Sequence, residues 1–393
     1  MNNSSDIVII GGGVMGASIA YHLARQGGNS VILLERQGLG NGTTGRSGAI
    51  VRQHYSNDFT IRMARDSLRV FEHFDELIGG SCGFATTGML VLADEHSAQA
   101  ISANVQLQQA QGVKTRMIIP EEVTQVAPDY SGAGVAVACY EEDAGVADPM
   151  ATTQCFARRA RELGVDIREG TEVTQLLTSG ERVSGVSTTS GVTIAAGVVI
   201  VVANVWSCAL VEPLGINLPI IATRHPMVAL RRPSDASDRL GMHAVCLDLV
   251  RGVYLRPELG GVTLVGSTEN VFAPGNPDEY AQGLSAEEIA FLRANASPCL
   301  PALKRAVPRG GWAGIYDDTP DFHPILDRLP GYDGLYCAAG FSGHGFKLSP
   351  LIGAHMAHFV LTGHAPAEIQ ALNLARFSRG QEIRPNYDSG VLG

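Results

Sequence analysis

The chain has no C-x-x-C pair, no run of basic residues, no internal repeat and no apolar stretch long enough to cross a bilayer. Its seven cysteines, at 82, 139, 155, 208, 246, 299 and 337, form an odd set without paired spacing, which argues against a disulfide scaffold or a zinc site and for a reduced compartment. With 29 basic residues against 39 acidic ones the net charge is −10, so there is no electrostatic footprint for nucleic acid or an anionic membrane surface. The apolar run Ile7 to Ala20 carries four glycines and no preceding basic residue, and reads as a nucleotide-binding turn rather than a secretion signal. Val192 to Ala203 is too short to span a membrane and reads as a buried strand. The expectation is a soluble, cytoplasmic protein.

Glycine is in excess, 46 in 393 residues with no Gly-X-Y period, so tight turns and close backbone approaches are expected. Asp6 to Ile10 is a β-branched run that meets Gly11-Gly-Gly-Val-Met-Gly16; Val14, Ala17, Tyr21 and Ala24 then recur at helical spacing, and Val31 to Glu35 is a second strand. In this strand–turn–helix–strand setting Gly11, Gly13 and Gly16 make a dinucleotide-binding turn. The first permits the turn, the second admits a pyrophosphate, and the third lets helix and strand pack. The helix N-terminus, at Val14 and Met15, attracts the negative charge. Glu35, 24 residues after Gly11, is placed for ribose hydroxyls. Arg36 beside it reads as a surface charge, because a carboxylate in the ribose position repels a 2′-phosphate. The turn alone leaves FAD and NAD both open.

Further along, a long amphipathic helix is predicted from about Asn57, with Ile61, Ala64, Leu68, Phe71 and Ile78 as its apolar stripe and Gly79-Gly80 as its end. Residues 82 to 143 mix strand and helix signals without a firm assignment. Asp148-Pro149 supplies an N-cap and first-turn proline for a helix stopped by Gly164, and residues 171 to 203 alternate as a β-meander. A strand-rich second region follows from about Leu218 to Leu264, and Ser285-Ala-Glu-Glu288 is a capping box. Leu335 to Ala339 is a short strand, and Ser349 with Pro350 is the expected start of the last helix, ended by Gly363.

Two further glycine-rich loops narrow the cofactor. Residues 42 to 52, containing Thr43, Thr44, Arg46, Ser47 and Gly48 and ending at Arg52, and residues 340 to 347, containing Gly340, Gly343, His344, Gly345 and Phe346 and ending at Lys347, both terminate in a cation. A nicotinamide fold needs neither. An isoalloxazine ring needs backbone close to its pyrimidine side and positive potential there.

On Gly11 to Gly16 with Glu35, Val51-Arg52-Gln-His-Tyr55, Thr319-Pro-Asp321 followed by Pro324-Ile-Leu, and Gly340 to Lys347, the sequence resembles the FAD-dependent D-amino acid oxidase superfamily, and within it the sarcosine oxidase branch, nearest to the β subunits of its heteromeric members. The resemblance implies an α/β fold. A doubly wound, Rossmann-like FAD domain would be built from residues 1–80, 146–215 and 311–393, and a mostly antiparallel substrate domain from 81–145 and 216–310. It implies non-covalent FAD, with Val173, Ala203 and Trp206 among its neighbours. It also implies a carboxylate grip by Arg52 and Lys347, with Tyr254 in the substrate pocket. His344 lies beside the flavin, in a structural role as much as a catalytic one; His54, His225 and His323 are unassigned.

Three departures from the family pattern shape the expectation. The covalent-flavin cysteine of monomeric relatives falls near Gly314, their oxygen-activating lysine near Leu264 or Val265, and the carboxylate arginine of glycine oxidases at Ile315-Tyr316. The expected reaction is oxidation of a primary or secondary amino acid by hydride transfer to flavin N5, without an obligatory protein base. Electrons would pass to oxygen or to a partner acceptor, with heteromeric subunits or a non-catalytic flavin-binding role as alternatives.

Overall fold

A computed structural model describes residues 3–27, 30–233, 241–268 and 276–384. Two eight-stranded sheets and one small three-stranded sheet carry the fold, with no barrel. In the first sheet the strand Ser4–Ile10 is central, parallel to Val31–Leu34 on one side and to Thr193–Val201 on the other. Val31–Leu34 pairs onward with Asp166–Arg168, and Leu335–Ala339 joins Thr193–Val201 in parallel. The strand period of two decides what each side buries. Ile7, Ile9, Val31 and Leu33 pack under the helices Val14–Gly27, Pro149–Glu162 and Gly345–Thr362. Val8, Ile10, Ile32 and Leu34 face the opposite layer, which the meander strands Val173–Thr178 and Val183–Thr188 help to close. Helices on one face of a mostly parallel sheet and a second apolar layer on the other make a mixed α/β arrangement, the class expected from the sequence.

The second sheet runs in the order Val307–Asp318, Ile221–Arg231, Val262–Ser267, Val253–Glu258, Val245–Asp248, Met89–Ala93, Val137–Glu141, Thr115–Ile118. All neighbours are antiparallel except Val245–Asp248 with Met89–Ala93. Strand Val307–Asp318 is hydrogen-bonded along its length to Ile221–Arg231, so residue 311 falls inside a strand of this sheet. No helix among the described residues is long and apolar enough to cross a membrane.

Local signals held where side chains cap the backbone. The Asn57 side chain accepts from Thr60 N to start Asp58–Glu72, and Asp148 accepts from Met150 N and Ala151 N ahead of Pro149. Ser285 and Glu288 form the capping box. The helix from Asn57 is broken at His73, and Ile78 follows a separate turn, Phe74–Leu77. The Ser349-Pro350 start is overturned: the last long helix begins at Gly345, and both residues lie inside it. Pro350 has no N–H for the Phe346 carbonyl, but the Ser349 hydroxyl donates to that oxygen at 2.8 Å, so the helix continues through the proline.

Candidate active site

The glycine turn after Ser4–Ile10 packs backbone on backbone. A methyl group at Gly16 would lie 1.9 Å from the Gly11 carbonyl oxygen, so only glycine lets the helix start there. Glu35 is fixed at the end of the neighbouring strand by accepting from Gly12 N at 2.7 Å and Gln37 N at 2.8 Å. Together these frame a cavity of about 390 Å³. Gly11, Gly13, Val14, Met15, Gly16, Glu35, Arg36, Thr43, Thr44, Ser47, Val173, Ala203, Trp206, Gly343, Gly345 and Phe346, all named from sequence, line it. Arg36 does more than sit at a surface. It stacks over Trp206 at 4.0 Å and pairs with Asp278 at 3.0 Å, while Trp206 Nε1 donates to the same carboxylate at 2.9 Å, and all three side chains belong to the wall at the Glu35 end.

A smaller cavity of about 60 Å³ shares Ser47, Tyr316, Gly343 and Phe346 with the first. Arg52, Tyr254, His344, Lys347 and Gly48 line this one. Two of the sequence-named residues line neither. Arg46 turns to the carbonyls of Asn41 and Gly42 and to Gln282, and Gly340 donates its N–H to Asp317 at 2.7 Å.

Arg52 and Lys347, 3% and 6% exposed, come from loops far apart in the chain. The Arg52 guanidinium lies 4.4 Å from the Tyr55 ring centroid and donates to the His54 carbonyl. Lys347 lies in the first turn of the helix Gly345–Thr362. Burial, and then the Arg52 charge nearby, holds its amine well below the ordinary lysine range.

Behind Arg52 lies a group that sequence reasoning missed. Glu141 is buried at the end of Val137–Glu141 and accepts from Gln53 N at 2.8 Å. Burial pushes its carboxyl up to about 7, against the Gln53 hydrogen bonds and the Arg52 charge. Asp317 was missed as well. It is raised to about 7 by burial, lines the larger cavity, and ties the end of Val307–Asp318 to the glycine loop through Gly340 N. A methyl group at Gly343, whose φ is +80°, would sit 2.5 Å from the Tyr316 ring, so the loop approaches that ring only as glycine. Among the described residues, the four non-glycine positions with positive φ are Ala49, Asn204, Phe322 and Ser342, and each lines one of these two cavities. Backbone strain collects where the walls are shaped.

The arrangement fits a dinucleotide with a ring system at the shared wall. Helix Val14–Gly27 starts at the larger cavity, and helix Gly345–Thr362 starts at the shared wall with no side chain capping it, so backbone N–H groups and partial positive charge face the space. No cysteine lines either cavity.

Comparison with known proteins agrees with this geometry. The family model DAO, FAD dependent oxidoreductase, matches residues 6–359. The chain is 30% identical over 392 residues to the sarcosine oxidase β subunit of Rhodobacter capsulatus, covering 98% of this chain and 92% of that one. It is 32% identical over 389 residues to the sarcosine oxidase β subunit of an Arthrobacter species, covering 97% and 93%. Among solved structures, L-proline dehydrogenase from P. horikoshii superposes with a TM-score of 0.88 at 29% identity, over 98% of this chain and all of that one. With the family model matched across most of its length, this chain belongs to the DAO family of FAD-dependent oxidoreductases.

Proposed function

We propose that the chain oxidises the C–N bond of a primary or secondary amino acid, N-alkyl and cyclic ones included. FAD is held without a covalent link in the larger cavity, and the amino acid is held in the smaller one. One observation carries this reading: two buried basic side chains, Arg52 and Lys347, face a small pocket that shares four wall residues with the dinucleotide cavity. When bound, FAD supplies the acceptor for the hydride. Glu35 and the Gly13–Gly16 backbone hold its ribose and pyrophosphate, and the N-terminus of Gly345–Thr362 supplies positive potential at the ring. Arg52 and Lys347 grip the α-carboxylate and thereby aim the substrate's α-hydrogen or N-alkyl group at the shared wall. Tyr254 lies across Gly266, where a methyl group would sit 2.3 Å from its ring, and closes the pocket against water. The imine formed is hydrolysed to a carbonyl compound and an amine.

A second observation bears on the electron acceptor. Leu264 and Val265, where the resemblance would place an oxygen-activating lysine, are buried in apolar clusters. This supports a dehydrogenase that passes electrons to a partner, as does the likeness to L-proline dehydrogenase. The test is to mix the purified holoenzyme anaerobically with N-methyl and cyclic amino acids and then admit air. Bleaching of the flavin band that persists in air supports the dehydrogenase. Bleaching with rapid return makes it an oxidase. No bleaching with any amino acid contradicts the enzymatic reading and leaves a binding-only subunit.

The depressed Lys347 predicts a pH effect. A carboxylate ligand stabilises the ammonium form, so binding takes up a proton wherever the lysine of the empty pocket is neutral. Affinity for a carboxylate without an amine should therefore weaken with rising pH, by up to about tenfold per pH unit. Titrating the flavin spectrum with such a ligand across pH checks it; a flat profile contradicts a neutral resting lysine.

A further inference from the structure

We propose that Asp318 is the group that takes the proton from the bound substrate's ammonium, so that the amine's electron pair is available when the hydride leaves. The inference rests on the amino-acid reading above. Asp318 ends the strand Val307–Asp318, is 7% exposed, and lines the same 60 Å³ pocket as Arg52 and Lys347. Thr223, across the strand pair, donates its hydroxyl to Oδ2 at 2.6 Å. His225 Nε2 lies 3.0 Å from the same hydroxyl. His225 is neutral, held down to about 4 by burial, and its ring stacks on Tyr316 at 3.8 Å. No cation pairs with Asp318 among the described residues, and its other oxygen has no protein donor there.

A desolvated carboxylate with no counter-charge, lining a pocket that accepts an ammonium, favours exchanging two charges for none. Burial raises Asp318 to about 6, with the Thr223 bond opposing, and the same burial lowers the pKa of the amine. In the step, the N–H bond breaks and its electron pair stays on nitrogen. The proton forms an O–H bond on Asp318, and carboxylate and ammonium become carboxylic acid and neutral amine. The other groups around Asp318 are committed or wrongly charged. Asp317 holds Gly340 N, Tyr316 is pushed up to about 12 and Tyr254 well above its usual range, His225 is held down to about 4 by burial, and Arg52 is a permanent cation. His344 lies 3.2 Å from the Tyr55 hydroxyl. Among the described residues lining the pocket, Lys347 and His344 are the rival acceptors.

Anaerobic stopped-flow reduction of the holoenzyme by an amino acid that bleaches it, from pH 5 to 10, gives for the wild type an acid limb near 6 and a plateau above it. In Asp318→Asn the rate at pH 7 should fall by about a hundredfold and then climb with pH toward the amine's own pKa. Affinity for a carboxylate lacking an amine should stay within about twofold, and Asp318→Glu should recover part of the rate. Thr223→Val, which removes the bond opposing burial, should move the acid limb to higher pH with the cofactor undisturbed. Asp318→Asn keeping the wild-type rate, a loss equal at every pH, or an acid limb unmoved in Thr223→Val overturns the assignment. Wild-type enzyme that no amino acid reduces would overturn the amino-acid reading, and this assignment with it.

Discussion

Lys347→Met and Arg52→Ala each lower kcat/KM for amino-acid oxidation by about a hundredfold to a thousandfold while FAD stays bound. Removing one member of a buried charged set that grips a ligand costs about 2–5 kcal/mol, and the larger cavity uses neither side chain. The two variants should differ in stability. Lys347 is fully enclosed and held far below its usual pKa by burial, so a thioether of similar length fits the space without a desolvated amine. Arg52→Ala instead leaves the buried Glu141 without its neighbouring cation and the His54 carbonyl without its donor. It should lower the melting temperature, and adding Glu141→Gln should restore part of the loss. Steady-state kinetics, flavin absorbance per chain and thermal melts check all three statements. Either variant turning over normally would remove its residue from the grip.

The second large effect lies in the motif Thr319-Pro-Asp321, which the structure assigns to architecture. Asp321 accepts from Arg376 Nε at 2.8 Å and Nη2 at 2.9 Å, from His323 N at 3.2 Å and from Ile383 N at 3.1 Å, with both ionic side chains 1% exposed. Arg376→Met strands that carboxylate and should cost about 3–5 kcal/mol in unfolding free energy. The pH dependence should also weaken. In the wild type, burial raises the Asp321 pKa, but the bonds and charge of Arg376 outweigh it and hold the carboxyl below its usual range. The pair's contribution is therefore present above the unfolded aspartate pKa, about 3.9, and is lost as pH falls through the folded value. In the variant, burial is opposed only by the Ile383 and His323 groups, so the folded pKa rises and less stability is lost as pH falls. Denaturant melts at several pH values read both effects, and a variant as stable as the wild type contradicts the structural role.

The parts of this protein that the sequence makes legible are those whose chemistry is local. The Gly11–Gly16 turn, Glu35, the helix start at about Asn57, and the caps at Asp148 and Ser285 depend on neighbours within a few residues, and they stand where the sequence places them. Arg52 and Lys347 were found through resemblance, because nothing in either loop reveals that two positions so far apart share one pocket. Glu141, Asp317 and Asp318 were missed for the same reason. Each is an ordinary carboxyl at a strand end until the second sheet folds over the first and buries it. Ala49, Asn204, Phe322 and Ser342 adopt the left-handed backbone without being glycine, so composition gives no sign of them. The Ser349-Pro350 reading failed because a serine hydroxyl supplied the hydrogen bond that proline removes.

The most direct test of the account is the structure of the holoenzyme with a planar, non-oxidisable analogue of a cyclic amino acid, such as pyrrole-2-carboxylate. The account predicts the carboxylate within hydrogen-bond distance of both Arg52 and Lys347, and the five-membered ring against the wall formed by Tyr316, Gly343 and Phe346. A carboxylate bound elsewhere, or those two side chains turned away from it, would contradict it.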